Sequence, residues 1–210
     1  MKKEAALLIV DVQNDFCPKG ALAVPDGDRV VEPLNRVAGC FAAGGLPVLA
    51  SRDWHPPVTG HFREFGGIWP PHCIQDSPGA AFHPALHLPE GTLVISKGSN
   101  PESDSYSAFD GRSTDGSTLA DVLADLHVRH LYVGGLATDY CVRSSVLDAR
   151  KAGLEVTVLT DAIAGVDVIA GDSEKALEEM GRNGVTFCTT DESIHQIADS
   201  PVQEFPSENS

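Results

Sequence analysis

The amino-acid sequence predicts an α/β protein with three layers: a doubly wound, six-stranded parallel sheet and helices on both of its faces. Six short apolar runs are mostly continuous instead of alternating with polar residues, which is typical of strands buried on both faces. Segments with helical spacing of apolar residues lie between most of these runs. Strands that alternate with helices favour right-handed βαβ units and therefore a parallel sheet.

The first predicted strand, Ala5–Val10, is an apolar run that ends at Asp11. The other five predicted strands are also short and apolar, and they cover residues 47–51, 92–96, 131–133, 155–160 and 185–189. Apolar residues at helical spacing predict helices over residues 30–43, 119–127, 142–152, 173–183 and 192–198. Neither an internal repeat nor an interdomain linker is found, so residues 1–210 are predicted to form one domain.

Two long segments interrupt this alternation of strands and helices. Residues 55–90 are rich in Pro, Gly, His and aromatic residues, and residues 98–117 are rich in Ser, Asp and Gly. Long loops inside a compact domain are usually functional or disordered, so both segments are candidates for a site. Residues 200–210 are polar and contain two prolines, which predicts a flexible tail.

The composition narrows the class of protein. Hydrophobic residues make up 42% and charged residues 21%, as in soluble globular proteins. The 15 basic and 30 acidic residues give a net charge of −15, which disfavours binding to nucleic acids and to anionic membranes. The N-terminal apolar run is too short for a signal peptide or a membrane span. The five cysteines are odd in number and lack CxxC spacing, so we expect a cytoplasmic protein without a disulfide framework.

Residues 130–153 predict a strand, a tight turn and a helix that together present a cysteine. Thr138 is a reasonable N-cap, which would place Cys141 in the first helical turn, and Gly153 stands where a glycine ends a helix. The positive end of the helix dipole would then lower the pKa of the thiol from about 8.5 by one to several units. The alternative is that Cys141 is a small buried hydrophobic residue, as most lone cysteines are.

Three ionisable residues follow the ends of predicted strands: Asp11, Lys97 and Cys141. Ligands of open α/β sheets bind beyond the carboxyl ends of the strands, so this topology would bring the three side chains to one edge. A carboxylate and an ammonium group beside a cysteine are typical of acyl transfer through a thiol nucleophile. Taken singly, Asp11 could instead be a capping aspartate and Lys97 a solvated lysine.

A second cluster follows the second predicted strand. Asp53 and His55 would project to one face if the strand continues, while His61 and His72 come from the loop beyond. One carboxylate with up to three imidazoles suits one divalent metal ion, Zn²⁺, Fe²⁺ or Mn²⁺, with open positions for water or substrate. The alternative is that histidines in a Pro-rich loop cluster by chance or serve as polar surface residues.

These residues fall within motifs that carry a resemblance to a known family. The chain resembles the nicotinamidase (pyrazinamidase) members of the isochorismatase-like cysteine hydrolases. The motifs are VDVQNDFCPKGAL at 10–22, SRDWHP at 51–56, GHF at 60–62, WPPHC at 69–73, SKG at 96–98 and GGLATDYCV at 134–142. Because they occur in register and in order, they are far more specific together than any one of them.

The resemblance implies the isochorismatase-like hydrolase fold and roles for the residues of both clusters. Asp11, Lys97 and Cys141 would form the catalytic triad. A divalent metal ion would bind the side chains of three matching positions, which are Asp53, His55 and His72. His61 stands where some family members supply a further ligand and others do not.

The resemblance also implies a substrate pocket. Phe16 and Trp69 occupy positions of aromatic walls that hold a pyridine ring in the family, and Tyr106 matches a residue near that pocket. A cis peptide between Leu136 and Ala137 would border the substrate and aim the N–H of Ala137, together with that of Cys141, at one oxyanion. Each aromatic residue could alternatively be ordinary core or lid packing.

The implied activity is hydrolysis of nicotinamide to nicotinate and ammonia, and of pyrazinamide to pyrazinoate, through a cysteine thioester in NAD salvage. One alternative is a related enzyme acting on another amide, such as an N-carbamoyl compound or a ureide. A second is cleavage of the vinyl ether of isochorismate, and a third is a metal-binding or redox-sensing module without catalysis. The identity of the metal and the assembly, including a homo-oligomer, are left open by the sequence.

Overall fold

A single all-parallel sheet forms the centre of the fold. The structure is a computed structural model that describes residues 4–199. Its strands are β1 (Ala5–Val10), β2 (Val48–Asp53), β3 (Leu93–Lys97), β4 (His130–Leu136), β5 (Glu155–Ala164) and β6 (Thr186–Cys188). They are ordered β3-β2-β1-β4-β5-β6, and every neighbouring pair is parallel. The predicted six-stranded parallel sheet is therefore confirmed.

Five α-helices cover the two faces of the sheet. They are α1 (Val31–Ala43), α2 (Leu119–Asp125), α3 (Arg143–Lys151), α4 (Asp172–Arg182) and α5 (Thr190–Asp199). One apolar core contains residues of α1 and α5, and the other contains residues of α2, α3 and α4. The predicted three layers are thus confirmed.

Strand β1 shows why the apolar runs are continuous. Leu7 and Ile9 belong to one core, whereas Leu8 and Val10 belong to the other, because successive side chains of a strand point to opposite faces. All four side chains are fully buried. A polar residue at any of these positions would therefore lie in one core or the other.

The strand order places a crevice beside β1. From β1 the chain proceeds through β2 to β3 on one side, and then returns to place β4 on the other side. Such a change of direction opens a crevice at the carboxyl ends of the two central strands. The residues that follow β1 and β4 therefore border the position where open α/β sheets bind their ligands.

The turn before α3 differs from its prediction. The predicted N-cap at Thr138 is wrong: Ala137 takes the capping position, and Thr138–Val142 forms a π-helical turn ahead of α3. The N–H of Val142 donates to the carbonyl of Ala137 over 3.1 Å, which closes a ring one residue wider than in an α-helix. Such wide turns occur often at functional sites, and this one contains Cys141.

Glycine at position 135 is required by a close approach of two backbones. Its φ is +124°, and a Cβ built on it would lie 2.1 Å from the carbonyl oxygen of Val10 in the neighbouring strand.

We expect Gly135→Ala to lower the free energy of unfolding by well over about 1 kcal/mol, since both the backbone angle and the space exclude a side chain. Urea unfolding of Gly135→Ala and Gly153→Ala measures this. Gly153 also has a positive φ, of +86°, but no atom lies within 4 Å of its built Cβ. Equal losses in the two variants would contradict the steric argument.

Other predictions concern the ends and the cysteines of the chain. Within residues 4–199, no helix is long and apolar enough to cross a membrane. All five cysteines are free thiols, in agreement with the expected lack of disulfides. The single domain over residues 1–210 stays a prediction, and the flexible tail predicted at 200–210 lies outside the described residues.

Candidate active site

The three residues predicted at strand ends lie together in the crevice. Asp11 directly follows β1, Lys97 is the last residue of β3, and Cys141 lies in the π-helical turn after β4. The Lys97 Nζ is 2.9 Å from Asp11 Oδ2 and 3.4 Å from the Cys141 Sγ. It also donates to Oδ1 of Asp53, at the end of β2. The exposed fraction of each of the four residues is below a tenth.

Asp11 is held by its neighbours as well as by Lys97. Its backbone lies in the left-handed region, with φ of +49°, and its N–H donates to the carbonyl of Ser51. The Ser51 hydroxyl donates to Asp11 Oδ1 over 2.7 Å. Sequence reasoning assigned no role to Ser51, and its place in the SRDWHP motif, two residues before Asp53, was the only signal. Asp11 is therefore held in one orientation beside the Cys141 thiol.

Burial governs the protonation of Asp11 and Cys141. Burial raises the pKa of Asp11, and it raises the pKa of the Cys141 thiol well above its usual value. Lys97 opposes both shifts, while the charge of Asp53 adds to both. The lowered thiol pKa predicted from a helix dipole is therefore wrong, because loss of water around the sulfur outweighs it. The resting site holds a thiol beside a carboxyl group that is a stronger base than a solvated aspartate.

Lys97 and Asp53 keep their charges in the same site. Burial alone would lower the pKa of Lys97, but Asp11 and Asp53 together hold it well above its usual value. Burial alone would raise the pKa of Asp53, but Lys97 and the neighbouring imidazoles of His55 and His72 hold it well below its usual range. Lys97 is thus a permanent cation that both carboxylates contact.

The four residues of the predicted metal cluster lie beside this ion pair. Ring nitrogens of His55, His61 and His72 all lie within 4.8 Å of one another. Asp53 Oδ2 is 3.7 Å from Nε2 of His55 and 3.9 Å from Nε2 of His72. The exposed fraction of each of these four side chains is 5% or less. The loop of residues 55–72 thus returns two distant histidines to the end of β2.

Hydrogen bonds orient the three rings in the same way. The acceptors of their Nδ1 atoms are the Gly98 carbonyl for His55, an Asp104 carboxylate oxygen for His61 and the Pro70 carbonyl for His72. Because these oxygens can only accept, each Nδ1 carries a proton, and in the neutral form of each ring the Nε2 lone pair is the one left for a metal ion. This tautomer is the one that metal-binding histidines usually adopt.

The donor set fits a divalent metal ion. The buried Nε2 of His55 has no hydrogen-bond partner among the described residues. Burial lowers the pKa of His72 to about 4, so its imidazole is neutral and able to act as a ligand at neutral pH. Three imidazoles and one carboxylate form a set typical of Zn²⁺, Fe²⁺ or Mn²⁺ sites.

An apolar cavity opens between the two clusters. It encloses about 400 Å³ of space, part of it open to solvent, and Cys141, Asp53, His61 and His72 reach its wall. Phe16, Trp69 and Tyr106 line it as predicted, and the Trp69 Nε1 donates to the Tyr106 hydroxyl over 2.9 Å. Sequence reasoning assigned no role to four further lining residues, which are Leu22, Val24, Tyr140 and Val166.

Leu136 does not line the cavity as predicted. Its side chain is fully buried in the apolar core that contains α1, because it is the last residue of a central strand. The peptide between Leu136 and Ala137 is cis, as the resemblance implied. Ala137 lines the cavity, and its N–H has no hydrogen-bond acceptor among the described residues. This N–H is available to a ligand beside Cys141.

Gln13 is a second residue that sequence reasoning missed. Its Oε1 accepts from the backbone N–H of Asp53 over 2.7 Å, and its Nε2 donates to the carbonyls of Asp53 and Ala80, each over 2.8 Å. The fully buried amide thus holds the backbone of Asp53 from both sides. The only signal was its position in the VDVQNDFCPKGAL motif, two residues after Asp11.

Comparisons with known proteins agree with this geometry. A family model, the isochorismatase domain, matches residues 5–192. The chain is 44% identical over 200 residues to the nicotinamidase of Escherichia coli (strain K12), with 88% of this chain and 94% of that protein covered. It is 40% identical over 178 residues to the nicotinamidase/pyrazinamidase of Mycobacterium tuberculosis, with 83% and 93% covered.

Solved structures show the same likeness. The crystal structure of the pyrazinamidase of Pyrococcus horikoshii in complex with zinc matches with a TM-score of 0.82 at 44% identity. That match covers 89% of this chain and 99% of the other. Together with the family model over residues 5–192, these findings confirm the resemblance drawn from the motifs: the chain belongs to the isochorismatase-domain family, and its relatives include nicotinamidases.

Proposed function

We propose that this protein hydrolyses nicotinamide to nicotinate and ammonia, with Cys141 as the nucleophile. One observation carries the proposal: the Cys141 Sγ lies beside a buried Asp11–Lys97 pair at the wall of an aromatic cavity. The relatives of this chain named nicotinamidase support the choice of substrate. Pyrazinamide has the same carboxamide on a similar ring, and we expect it to be hydrolysed to pyrazinoate.

The first step forms the thioester. Asp11 takes the proton of the Cys141 thiol as the sulfur attacks the carboxamide carbon, and the raised pKa of Asp11 suits a general base. Lys97 stays protonated throughout and stabilises the negative charge that passes between sulfur and carboxylate. The N–H groups of Ala137 and Cys141 hold the oxyanion, and removal of one such donor in other enzymes lowers kcat by about 10² to 10³.

The second half of the reaction releases both products. The protonated Asp11 donates its proton to the nitrogen of the leaving group, the C–N bond breaks, and ammonia departs. Asp11 then takes a proton from a water molecule, whose oxygen attacks the thioester carbon. The C–S bond breaks, the thiolate regains its proton from Asp11, and nicotinic acid leaves and loses its remaining proton to the solvent as nicotinate.

The remaining cavity residues orient the ring. Phe16 and Trp69 line the cavity and would contact the faces of a pyridine, and the Tyr106 hydroxyl accepts the hydrogen bond that orients the Trp69 indole. Asp53, His55, His61 and His72 would hold one divalent metal ion, which when bound supplies a Lewis acid toward the ring nitrogen or a water molecule. The zinc bound by the Pyrococcus horikoshii relative supports a metal in this site but leaves the ion in this chain open.

Ammonia release is the test of this function. We expect the metal-loaded protein to release ammonia from nicotinamide and pyrazinamide, and far more slowly from N-carbamoyl compounds and ureides. The alternative of another amide substrate predicts the reverse order. Release of pyruvate from isochorismate would instead support the vinyl-ether reaction, but that reaction uses no cysteine nucleophile, so Cys141 argues against it. The free thiols suit an enzyme that acts in the reducing cytoplasm. The proposed reaction would belong to NAD salvage.

Removal of the metal is expected to reduce activity strongly. His72→Ala deletes a ligand, and we expect it to lower both the bound metal per chain and kcat/KM for nicotinamide. The loss in kcat/KM should be at least as large as the loss of about 10-fold to 100-fold that removal of a ligand's hydrogen-bond partner causes. Metal analysis and ammonia release before and after chelation measure the two effects. His83→Ala, a histidine on the same long loop outside the cluster, is the matched control and should change neither. An unchanged kcat/KM in metal-free protein would show that the cluster is not needed for hydrolysis.

A further inference from the structure

His61 differs from the other two rings of the cluster in what holds it. Backbone carbonyls accept from Nδ1 of His55 and His72, whereas the Asp104 carboxylate accepts from Nδ1 of His61 over 2.5 Å. The Asp104 side chain is 59% exposed, while that of His61 is 4% exposed. A residue at the surface therefore orients a ring that is buried in the cluster.

The segment that carries Asp104 also supports the loop that carries His61. The carbonyl of Pro101 accepts from the N–H of Gly60 over 2.9 Å and from the Thr59 hydroxyl over 3.3 Å. The Thr59 hydroxyl oxygen in turn accepts from the N–H of His61. His61 is thus held from the loop after β3 at both its backbone and its ring.

The Asp104 contact has a chemical consequence for the ring. A carboxylate on Nδ1 keeps the proton there, points the Nε2 lone pair into the cluster and makes that nitrogen a stronger donor than a carbonyl partner does. His61 also stacks on His55, with ring centroids 4.6 Å apart, so its plane is set from two directions. Loss of Asp104 would free the ring to turn about its own axis while leaving the buried packing in place.

We propose that Asp104 is a positioning residue that holds His61 as a metal ligand and thereby tightens metal binding. The inference rests on the metal site of the proposed function, although it is independent of which amide the enzyme cleaves. The proposal makes the loop after β3 a part of the metal site, because Asp104 lies on that loop. It can also be tested by mutation, because a substitution can remove the Asp104 carboxylate but not the backbone carbonyls that contact His55 and His72.

The test is the affinity of the metal-free protein for Zn²⁺, measured by competition with a chromophoric chelator. We expect Asp104→Asn to weaken Zn²⁺ binding by about 10-fold to 100-fold, the range found for partners of metal-binding histidines. Asp104→Glu keeps the carboxylate and should recover part of the loss. An affinity within about 2-fold of the parent for Asp104→Asn would overturn the proposal.

Two further variants separate positioning from general charge. Glu102→Gln removes an exposed carboxylate from the same segment and should leave the Zn²⁺ affinity within about 2-fold. A loss as large as that of Asp104→Asn would assign the effect to the overall charge of the loop and overturn the proposal. In a His61→Gln background, Asp104→Asn should have no further effect, because the ring through which it acts is gone. A full additional loss there would also overturn it.

These readouts are independent of turnover. If the parent protein binds Zn²⁺ and Asp104→Asn weakens that binding, the inference holds even when nicotinamide is not hydrolysed, and the proposed substrate alone fails. If the parent protein hydrolyses nicotinamide but binds no Zn²⁺ at micromolar concentration, the inference fails while the cysteine mechanism stands.

Discussion

Replacing Cys141 with alanine is expected to lower kcat/KM for nicotinamide by at least about 10⁴-fold, because the proposed reaction passes through a bond to its sulfur. Removal of a single nucleophile in other covalent hydrolases lowers kcat by about 10⁶-fold. Ammonia release gives the rate, and mass spectrometry of quenched reactions detects the nicotinoyl adduct on the parent protein. The variant should still bind Zn²⁺ and nicotinate, since the four predicted metal ligands and the aromatic residues of the cavity are unchanged.

Cys40→Ala is the matched control for this substitution. Cys40 is half-buried in α1, which packs on one face of the sheet. Cys141 belongs to the apolar core on the other face. Its loss should leave ammonia release and the adduct unchanged. Appreciable turnover by Cys141→Ala, or an adduct on another cysteine, would contradict the nucleophile assignment.

Replacing Lys97 with methionine is expected to remove activity and also to destabilise the protein by about 3–5 kcal/mol. Lys97 is the buried cation between Asp11 and Asp53, so its loss leaves two buried carboxylates without their charge partner. Breaking a buried pair by removal of one partner is destabilising by this amount in other proteins. Urea unfolding of the metal-free protein measures the loss, and adding Asp11→Asn to this variant should restore part of it.

Lys151→Met is the matched control. Lys151 also forms an ion pair, with Asp148, but it lies at the exposed end of α3. Exposed pairs contribute little, so the stability and ammonia release of this variant should match those of the parent. An equally small change for Lys97→Met would contradict the view that the buried pair needs its cation.

The sequence by itself determined the sheet and the chemical residue types. Short apolar runs predict six strands, and all six form. The predicted burial on both faces holds for the central strands β1 and β4, whereas the edge strands β3 and β6 keep exposed residues. The strand ends then predicted that Asp11, Lys97 and Cys141 would meet, because the carboxyl ends of parallel strands share one edge. The family motifs added the cavity aromatics and the cis peptide at Leu136, which local patterns could not predict.

Only the tertiary structure decided the protonation of the site and what holds its residues in place. The pKa of Cys141 rises instead of falling, because desolvation by surrounding elements outweighs the local helix terminus. Ser51, Gln13 and Asp104 contact residues about 40 positions away in sequence, so spacing along the chain carries little information about them. Burial and long-range hydrogen bonds are properties of the folded chain. They determine the protonation and the orientation of site residues whose positions the sequence had already indicated.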